Sequence, residues 1–261
     1  MATLENRIKD RIANNELAIG LGLRFSRTPD IGRILATAGF DFAFIDMEHS
    51  SLTLEKASEL SIACHDAGVT PLVRVPGYEH WLASRVLDTG AMGVVFPHVD
   101  TPELARELVS YCKFPPLGHR SAAGSPVQLG YQPLPMAESS ELINRQTLVV
   151  VMLESPQAIE NADAIAAVEG VDVLLIGTND LCMEMGIPQQ FGDARVDAAM
   201  KATVEACKKH GKIPGFGGVY DEEHAPRYID MGMRFILSGG DLNYVIAGAN
   251  QRARFLRGLK V

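Results

Sequence analysis

The sequence repeats one pattern, in which a short apolar run ends abruptly in ionisable residues. Residues 42–45 are apolar without interruption, and Asp46, Glu48 and His49 follow them. An uninterrupted apolar run is typical of a parallel β-strand that is covered on both faces. Ionisable groups at the end of such a strand cost free energy near a core unless they have a use. The pattern therefore indicates a parallel α/β protein with a functional site at its strand ends.

The same pattern occurs twice more along the chain. Residues 148–153 are apolar and end at Glu154, and residues 173–176 are followed closely by Asn179 and Asp180. The carboxyl ends of parallel strands meet at one face of the sheet, where sites in such proteins are built. We therefore expect these polar residues to converge on one acidic, metal-binding site.

Eight apolar runs alternate with helical segments, which predicts a (β/α)8 barrel formed by residues 1–261 as a single domain. Several helices are predicted to begin at Ser or Thr followed by Pro, as at Thr28, Thr101 and Ser155, and to end at Gly. An open doubly wound sheet is the alternative, but the glycine-rich dinucleotide fingerprint that it would need is absent. The predicted strands cover residues 17–23, 42–46, 70–76, 93–99, 148–153, 173–176, 212–219 and 234–240.

Residues 115–135 are rich in proline and glycine and predict a long irregular segment. A loop of this length within a compact domain is usually functional, often as a lid. We therefore expect it to contribute to the site, with Arg120, His119 and Tyr131 as candidate contacts to a substrate; a solvated loop is the alternative.

Charge and cysteine content exclude several classes of partner. The formal net charge is −8, and the sequence has no cluster of Lys and Arg, which disfavours nucleic acid and anionic membranes. The four cysteines are scattered without metal-binding or redox spacing, as is typical of reduced cytoplasmic proteins. Residues 1–15 do not resemble a signal peptide, and no apolar run is long enough to span a membrane. We therefore expect a cytoplasmic protein that acts on small molecules.

Two carboxylates are expected at the ends of neighbouring strands, Glu154 and Asp180. Carboxylates placed close together repel each other unless a cation lies between them or one is protonated. Two oxygen ligands with open positions suit Mg²⁺ or Mn²⁺, which keep several waters and take further ligands from substrate. The alternative is that each carboxylate caps the following helix or pairs with a base.

Three further residues are candidates for catalysis. Arg74 ends the third strand, where a guanidinium could stabilise a developing enolate or simply balance the acidic rim. His49 is the candidate base, because an unperturbed imidazole pKa lies near 6.5, although a lone histidine is often structural. Asp88 is expected at a helix end, where the helix dipole disfavours an acid, so we expect it to orient a histidine, across a subunit interface.

Six motifs follow one another along nearly the whole chain. They are Ile45-Asp46-Met47-Glu48-His49, Arg74-Val75-Pro76, Leu87-Asp88-Thr89-Gly90-Ala91-Met92-Gly93, Pro116-Leu117-Gly118-His119-Arg120, Met152-Leu153-Glu154 and Gly177-Thr178-Asn179-Asp180-Leu181. In order and rough spacing, these motifs resemble those of the class II, metal-dependent pyruvate aldolases, a family that includes 4-hydroxy-2-oxo-heptanedioate aldolase and 2-dehydro-3-deoxyglucarate aldolase.

The resemblance implies specific roles at these positions. Glu154 and Asp180 would bind a divalent cation, Mg²⁺ or Mn²⁺ and in some cases Co²⁺. His49 would act as the base through water, with Asp88 as its partner. The resemblance also implies a homohexamer, a trimer of dimers, with the C-terminal helix packed on or swapped with a neighbour.

The substrate contacts implied by the resemblance involve three residues. Arg74 would steady the enolate oxygen of pyruvate, and the backbone around Asn179 and Asp180 would hold the pyruvate carboxylate. Thr178, where the family often has Pro, and residues 121–126 depart from the usual pattern. We expect both departures to affect the aldehyde pocket rather than the enolate chemistry.

Other functions remain open at this stage. An acyl-CoA thioester lyase of the citrate lyase β type would need a basic, adenine-accommodating surface that the sequence does not indicate. The glycines at 217–218 and 239–240 could bind phosphate or only permit close backbone approach, and a catalytically silent barrel is a further alternative. A Schiff-base mechanism is disfavoured, because Lys212 is predicted at a strand start rather than a strand end. The sequence leaves open the aldehyde and the choice between pyruvate and hydroxypyruvate.

Overall fold

The eight predicted strands form a closed parallel barrel in the order β1 to β8, as seen in a computed structural model that describes residues 4–260. The predicted (β/α)8 fold is thus confirmed, while residues 1–3 and 261, the ends of the predicted single domain, lie outside the described residues. The strands are β1 (Ala18–Leu23), β2 (Phe42–Asp46), β3 (Thr70–Arg74), β4 (Gly93–Phe96), β5 (Leu148–Leu153), β6 (Val173–Gly177), β7 (Ile213–Gly217) and β8 (Phe235–Gly240).

Helices cover the outside of the barrel, and the first helix closes the end at which the strands begin. Within residues 4–260, the α-helices are α1 (Arg7–Ala13), α2 (Asp30–Ala38), α3 (Leu54–Asp66), α4 (His80–Asp88), α5 (Pro102–Cys112), α6 (Met136–Gln146), α7 (Pro156–Glu160), α8 (Ala162–Ala166), α9 (Thr178–Glu184), α10 (Ala194–His210), α11 (His224–Met231) and α12 (Asp241–Arg257). No helix in this part of the chain is both long enough and apolar enough to cross a membrane.

Side chains alternate between the inside of the barrel and the layer of helices. On β2, Phe42 and Phe44 belong to the interior cluster, whereas Ala43 and Ile45 pack towards the helices. This alternation is the ordinary two-residue period of a strand, and it decides which residue at the end of each strand faces the mouth. The interior residues are Ile8, Ala18, Phe42, Phe44, Leu72, Val95, Leu148, Val150, Met152, Val173, Leu175 and Phe235.

Helix boundaries agree with the sequence signals in most places. The side chains of Thr101 and Ser155 accept hydrogen bonds from backbone N–H groups in the first turns of α5 and α7. Thr28 was expected to do the same for α2, but that helix begins at Asp30 after Pro29 and has no side-chain cap. The single helix predicted to begin at Ser155 is two short helices, α7 and α8, which are separated at Asn161.

Two features of the fold are not evident from the sequence patterns above. Helix α1 is capped by Asn6, whose side chain accepts hydrogen bonds from Ile8 N and Lys9 N, and Ile8 is fully buried against the amino end of the barrel. The long segment from 113 to 135 leads from the end of α5 to α6, which directly precedes β5. Because α5 ends and β5 begins at the amino end of the barrel, the segment lies there and is not a lid over the mouth of the same chain.

Candidate active site at the carboxyl end of the barrel

The inward-facing positions at the strand ends are occupied by charged residues. Asp46 follows the interior residue Phe44 by two positions, and its backbone partner across the sheet is Arg74 at the end of β3. Glu154 comes directly after β5, two positions beyond the interior residue Met152. The two-residue period that buries the strands therefore also directs these three side chains into the mouth of the barrel.

Asp46 and Arg74 form a buried ion pair with two hydrogen bonds. Arg74 Nε and Nη2 donate to the two carboxylate oxygens of Asp46 at 3.0 and 2.7 Å, a bidentate geometry that is among the strongest available to arginine. Backbone N–H groups of Glu48 and His49 also donate to Asp46, each at 3.1 Å. Burial raises the pKa of Asp46, but the hydrogen bonds and charge of Arg74 outweigh it, so the pKa lies below its ordinary value.

One nitrogen of Arg74 remains open to a substrate. Nη1 lies 2.9 Å from Glu48 Oε2, but that buried oxygen accepts no hydrogen bond from any described residue, so the contact is an ion pair only. The other neighbour of Nη1 is the weakly accepting sulfur of Met152, at 3.9 Å. Arg74 is thus held rigidly by Asp46 and still has a hydrogen-bond donor that an oxyanion could use.

Glu154 is a buried carboxylate with an unusual pKa. Its side chain is 1% exposed, and burial raises its pKa to about 7. The backbone N–H of His98, which donates to Glu154 Oε2 at 2.8 Å, opposes the shift, and the nearby charge of Asp180 adds to it. His98 adopts a positive φ of 50°, a conformation uncommon outside glycine that concentrates at functional sites.

The Glu154 carboxylate fits only because its neighbour on β6 is glycine. Leu153 pairs with Ile176 across the sheet, so Glu154 lies beside Gly177, and a Cβ on Gly177 would lie 2.3 Å from Glu154 Oε1. Within residues 4–260, no group of three or more His, Cys, Asp or Glu residues forms a complete protein metal site. Glu154 and Asp180 fit a hard cation such as Mg²⁺ or Mn²⁺, which takes its remaining ligands from water and substrate.

Asn179 and Asp180 lie in the first turn of α9, directly after β6. The sequence placed them at a strand end, and the structure differs only in starting a helix there at once. Asp180 is partly buried and Asn179 is exposed. Gly218, after β7, has a positive φ of 99°, and a Cβ there would lie 2.9 Å from the side-chain nitrogen of Asn179. These residues complete the β6–β7 side of the mouth.

His49 lies at the mouth, whereas Asp88 does not. The imidazole of His49 is 52% exposed, and its Nε2 lies 3.6 Å from Glu48 Oε2. Asp88 is the last residue of α4, a helix that runs antiparallel to the strands and so ends near their amino ends. Within one chain, the structure does not bring the two predicted partners together.

Asp88 instead belongs to a cavity of about 360 Å³ on the outside of the barrel. Arg120 Nη2 lies 2.7 Å from Asp88 Oδ1, and the guanidinium stacks over Phe114 at 4.6 Å. The Arg120 side chain is 2% exposed, and its Nε and Nη1 have no hydrogen-bond partner among the described residues. Residues of the long segment, including Tyr131, line the same cavity, while His119 is absent from that lining.

Three residues at or near the mouth were not identified from the sequence as site residues. His98 positions the Glu154 carboxylate, Gly177 makes space for it, and Arg24 donates from Nε to Asp46 Oδ2 at 2.7 Å. His98 lies near the end of predicted strand 4 and Arg24 directly follows predicted strand 1, so a search of every strand end for polar residues would have found both. The need for glycine at 177 follows from the strand register, which no local pattern specifies.

Replacing Gly177 with alanine is expected to displace the Glu154 carboxylate without changing any charge. The backbone at 177 tolerates a Cβ, but the carboxylate of Glu154 would have to move, so we expect a loss of about 1–3 kcal/mol in the free energy of unfolding. Urea denaturation and Mn²⁺ titration measure the two effects. Gly124→Ala, where a Cβ would meet no atom within 4 Å, is the matched control. Unchanged stability and Mn²⁺ affinity in Gly177→Ala would contradict the described packing.

A closed (β/α)8 barrel with buried carboxylates and a buried guanidinium at its carboxyl mouth defines a barrel enzyme of the kind that builds its site at strand ends. The sequence profile described as HpcH/HpaI aldolase/citrate lyase matches residues 25–247. The chain belongs to this family, and the resemblance seen in the sequence motifs is confirmed. Its aldolases are carbon–carbon lyases.

Similar proteins carry aldolase names. A 4-hydroxy-4-methyl-2-oxoglutarate aldolase of Hapsidospora irregularis is 42% identical over 258 residues, covering 97% of this chain and 95% of the relative. A hydroxypyruvate/pyruvate aldolase of Paraburkholderia phytofirmans is 32% identical, with 98% and 100% covered. The crystal structure of an HpcH/HpaI aldolase from Desulfitobacterium hafniense superposes with a TM-score of 0.91 at 30% identity, covering 97% of each chain.

Proposed function

We propose that this protein is a divalent-metal-dependent aldolase that cleaves or forms 4-hydroxy-2-oxo acids through the enolate of pyruvate or hydroxypyruvate. The observation that carries the proposal is the inward-facing Glu154 carboxylate, beside Asp180 and within reach of the charge of Arg74. The names of the relatives support a 2-oxo acid as the donor. The alternative, a thioester lyase, has weaker support, because the solved citrate lyase structures are only 15–16% identical to this chain and share its fold alone.

The roles of the residues follow from their positions. Glu154 and Asp180 would hold Mg²⁺ or Mn²⁺, and the backbone around Asn179 and Asp180 would hold the donor carboxylate. When bound, the cation supplies Lewis-acid polarisation of the donor ketone. Arg74 Nη1 donates to the oxygen on which negative charge develops, and the Asp46 ion pair keeps it oriented.

His49 handles the proton. In the cleavage direction, it removes the proton of the 4-hydroxyl group through water, the C3–C4 bond breaks with the electron pair passing into the enolate, and the enolate takes a proton from water at C3 to leave as the 2-oxo acid. In the synthesis direction, a proton leaves the methyl group of pyruvate through water, the enolate carbon adds to the aldehyde carbon, and His49 returns a proton to the new alkoxide. Its exposure at the mouth leaves room for that water.

The test is deuterium exchange into the methyl group of pyruvate, followed by NMR in D₂O with Mg²⁺ or Mn²⁺ and again with a chelator. It requires no knowledge of the acceptor. Exchange that depends on the cation would support enolate formation in this site. Absence of exchange with pyruvate and hydroxypyruvate, together with no cleavage of 4-hydroxy-2-oxo acids, would overturn the proposal.

Asp88 is proposed to serve His49 of a neighbouring subunit, since the two residues lie at opposite ends of one barrel. We further propose the homohexamer, a trimer of dimers, with α12 against a neighbour. In support, α12 exposes a set of large apolar side chains that this chain leaves uncovered, which is typical of an interface. They are Leu242, Tyr244, Val245, Ile246, Phe255 and Leu256.

His49→Ala and Asp88→Asn are each expected to lower turnover by about 10²–10⁴-fold, the usual contribution of a general base and of the group that orients it. If the pair forms between subunits, mixing the two inactive variants under subunit exchange should restore part of the activity, because some mixed sites contain both native residues. Steady-state assays before and after mixing measure this, and light scattering measures the assembly. Unchanged turnover in His49→Ala would rule out its role as base.

Cation affinity is expected to fall as the pH drops below about 7. Since the pKa of Glu154 is raised to about 7, the carboxyl carries a proton below that pH, and the proton must leave before a cation binds. The apparent dissociation constant for Mn²⁺ should therefore rise about tenfold per pH unit below 7. Titration calorimetry at pH 5.5, 6.5 and 7.5 measures it. A constant affinity over this range would mean that Glu154 is not a ligand.

A further inference from the structure

Arg24 lies in the loop after β1, and this loop is fixed at the mouth of the barrel. Backbone N–H groups of Arg24, Phe25 and Ser26 all donate to the buried carboxylate of Asp241, at 2.6 to 3.2 Å. Asp241 is the first residue of α12. Three such hydrogen bonds to one charged acceptor order the loop, so the position of the Arg24 side chain is specified by the fold.

Only one nitrogen of the Arg24 guanidinium is used by its ion-pair partner, Asp46. Arg24 Nε donates to Asp46 Oδ2 at 2.7 Å. Asp46 already accepts both hydrogen bonds of Arg74 and two from backbone N–H groups. The Arg24 side chain is 51% exposed, and in the described part of the chain its two Nη groups have no acceptor. A bidentate donor pair is therefore left open at the mouth.

The position of this open donor pair separates it from the donor half of the site. The Arg74 side chain is 6% exposed and pairs with Asp46 and Glu48, whereas the Arg24 side chain is 51% exposed and reaches Asp46 from the loop after β1. Tyr220, which follows β7, is 53% exposed, and its phenol lies within range of the charges of both Arg24 and Arg74.

The mouth of the barrel is acidic, so the charge of Arg24 affects which substrates can enter. Asp46, Glu48, Glu154 and Asp180 supply four carboxylates there, and the open donor of Arg74, Nη1, is assigned to the enolate oxygen. A substrate that carries a second carboxylate would be repelled unless a further cation received it. Arg24 is the positioned guanidinium with free N–H groups that could do so.

We infer that Arg24 binds a carboxylate group on the acceptor, the carbonyl compound to which the enolate adds, so that the preferred acceptors are oxo acids rather than neutral aldehydes. This inference rests on the proposed aldolase function. The two Nη groups form a fork with the acceptor carboxylate while Nε stays on Asp46. Arg24 takes no part in making or breaking the carbon–carbon bond and acts on specificity alone.

The test compares acceptors that are matched in length and differ in charge. Glyoxylate is paired with glycolaldehyde, and succinic semialdehyde with butanal, each with pyruvate and Mn²⁺. In Arg24→Gln, the ratio of kcat/KM for the charged acceptor to that for the neutral acceptor should fall about 10–100-fold, as expected for hydrogen bonds to a charged group. Arg24→Lys should retain part of the ratio. Arg33→Gln, which removes an exposed charge from α2, should leave it unchanged.

The other outcomes are also decisive. A parallel loss for charged and neutral acceptors in Arg24→Gln would mean that Arg24 supports Asp46 or binds the donor, and it would overturn the inference. An unchanged ratio would do the same. The proposed function is tested separately by deuterium exchange from D₂O into the methyl group of pyruvate, catalysed by the unaltered enzyme, which needs no acceptor. Exchange without a preference for charged acceptors would therefore refute only the role of Arg24.

Discussion

Glutamine in place of Glu154 is expected to lower cation-dependent deuterium exchange into pyruvate by at least about 10⁴-fold. The carboxylate is the buried oxygen ligand of the proposed site, and its loss removes several kcal/mol of charge stabilisation in the transition state. An amide is nearly the same shape, so the packing against Gly177 is preserved. Exchange assays with saturating and limiting Mn²⁺ distinguish weaker binding from a slower chemical step. Glu160→Gln, at an exposed position on the following helix, is the control.

The stability of this variant separates loss of the metal site from misfolding. The pKa of Glu154 is raised from an ordinary 4.5 to about 7 in the folded protein, so the folded state holds the proton more tightly than the unfolded state. Protonated Glu154 therefore contributes to the free energy of unfolding at low pH, and this contribution is lost as the pH rises from about 4.5 to 7. Without metal at pH 8, Glu154→Gln should be at least as stable as the unaltered protein in thermal denaturation. Lower stability there, or near-normal exchange, would contradict the assignment.

Glutamine in place of Arg74 is expected to lower the free energy of unfolding by about 3–5 kcal/mol. The substitution leaves Asp46 and Glu48 near the core without their buried cation, and removing one partner of a buried ion pair has a cost of this size. Activity should also fall, by about 10²–10³-fold, because the substrate oxyanion loses its donor. Urea denaturation and exchange assays measure the two effects. Arg106→Gln, which breaks an exposed pair with Glu103, should cost no more than about 1 kcal/mol.

A double variant tests the physical reason for the effect of Arg74. Arg74→Gln combined with Asp46→Asn removes both charges of the pair and should recover part of the lost stability, since no unpaired carboxylate remains at 46. Activity should not recover, because the oxyanion donor is still missing. Additive losses of stability in the double variant would show that the two side chains are not coupled as described.

The sequence predicted the barrel because its strands are buried on both faces and are therefore continuous apolar runs. It also identified Asp46, Arg74, Glu154 and Asp180 as residues at one face, since parallel strands place their carboxyl ends together. Local patterns were weaker where a segment depends on distant partners. Helix α1 was not predicted, because its stability comes from burying Ile8 under the barrel rather than from a strong apolar period. The lid assignment for residues 115–135 was wrong because that segment follows a helix, not a strand.

The barrel, the acidic mouth and the family follow from the sequence alone, because they depend on local signals, namely uninterrupted apolar runs, the ionisable residues that end them and short motifs. Three properties were decided only by the tertiary structure. The raised pKa of Glu154 comes from burial beside Gly177, the open donors of Arg24 come from the anchoring of its loop by Asp241, and the separation of His49 from Asp88 comes from the direction of α4. Each depends on atoms brought together from distant parts of the chain, and the free energy of such contacts is specified by three-dimensional proximity rather than by neighbours in sequence.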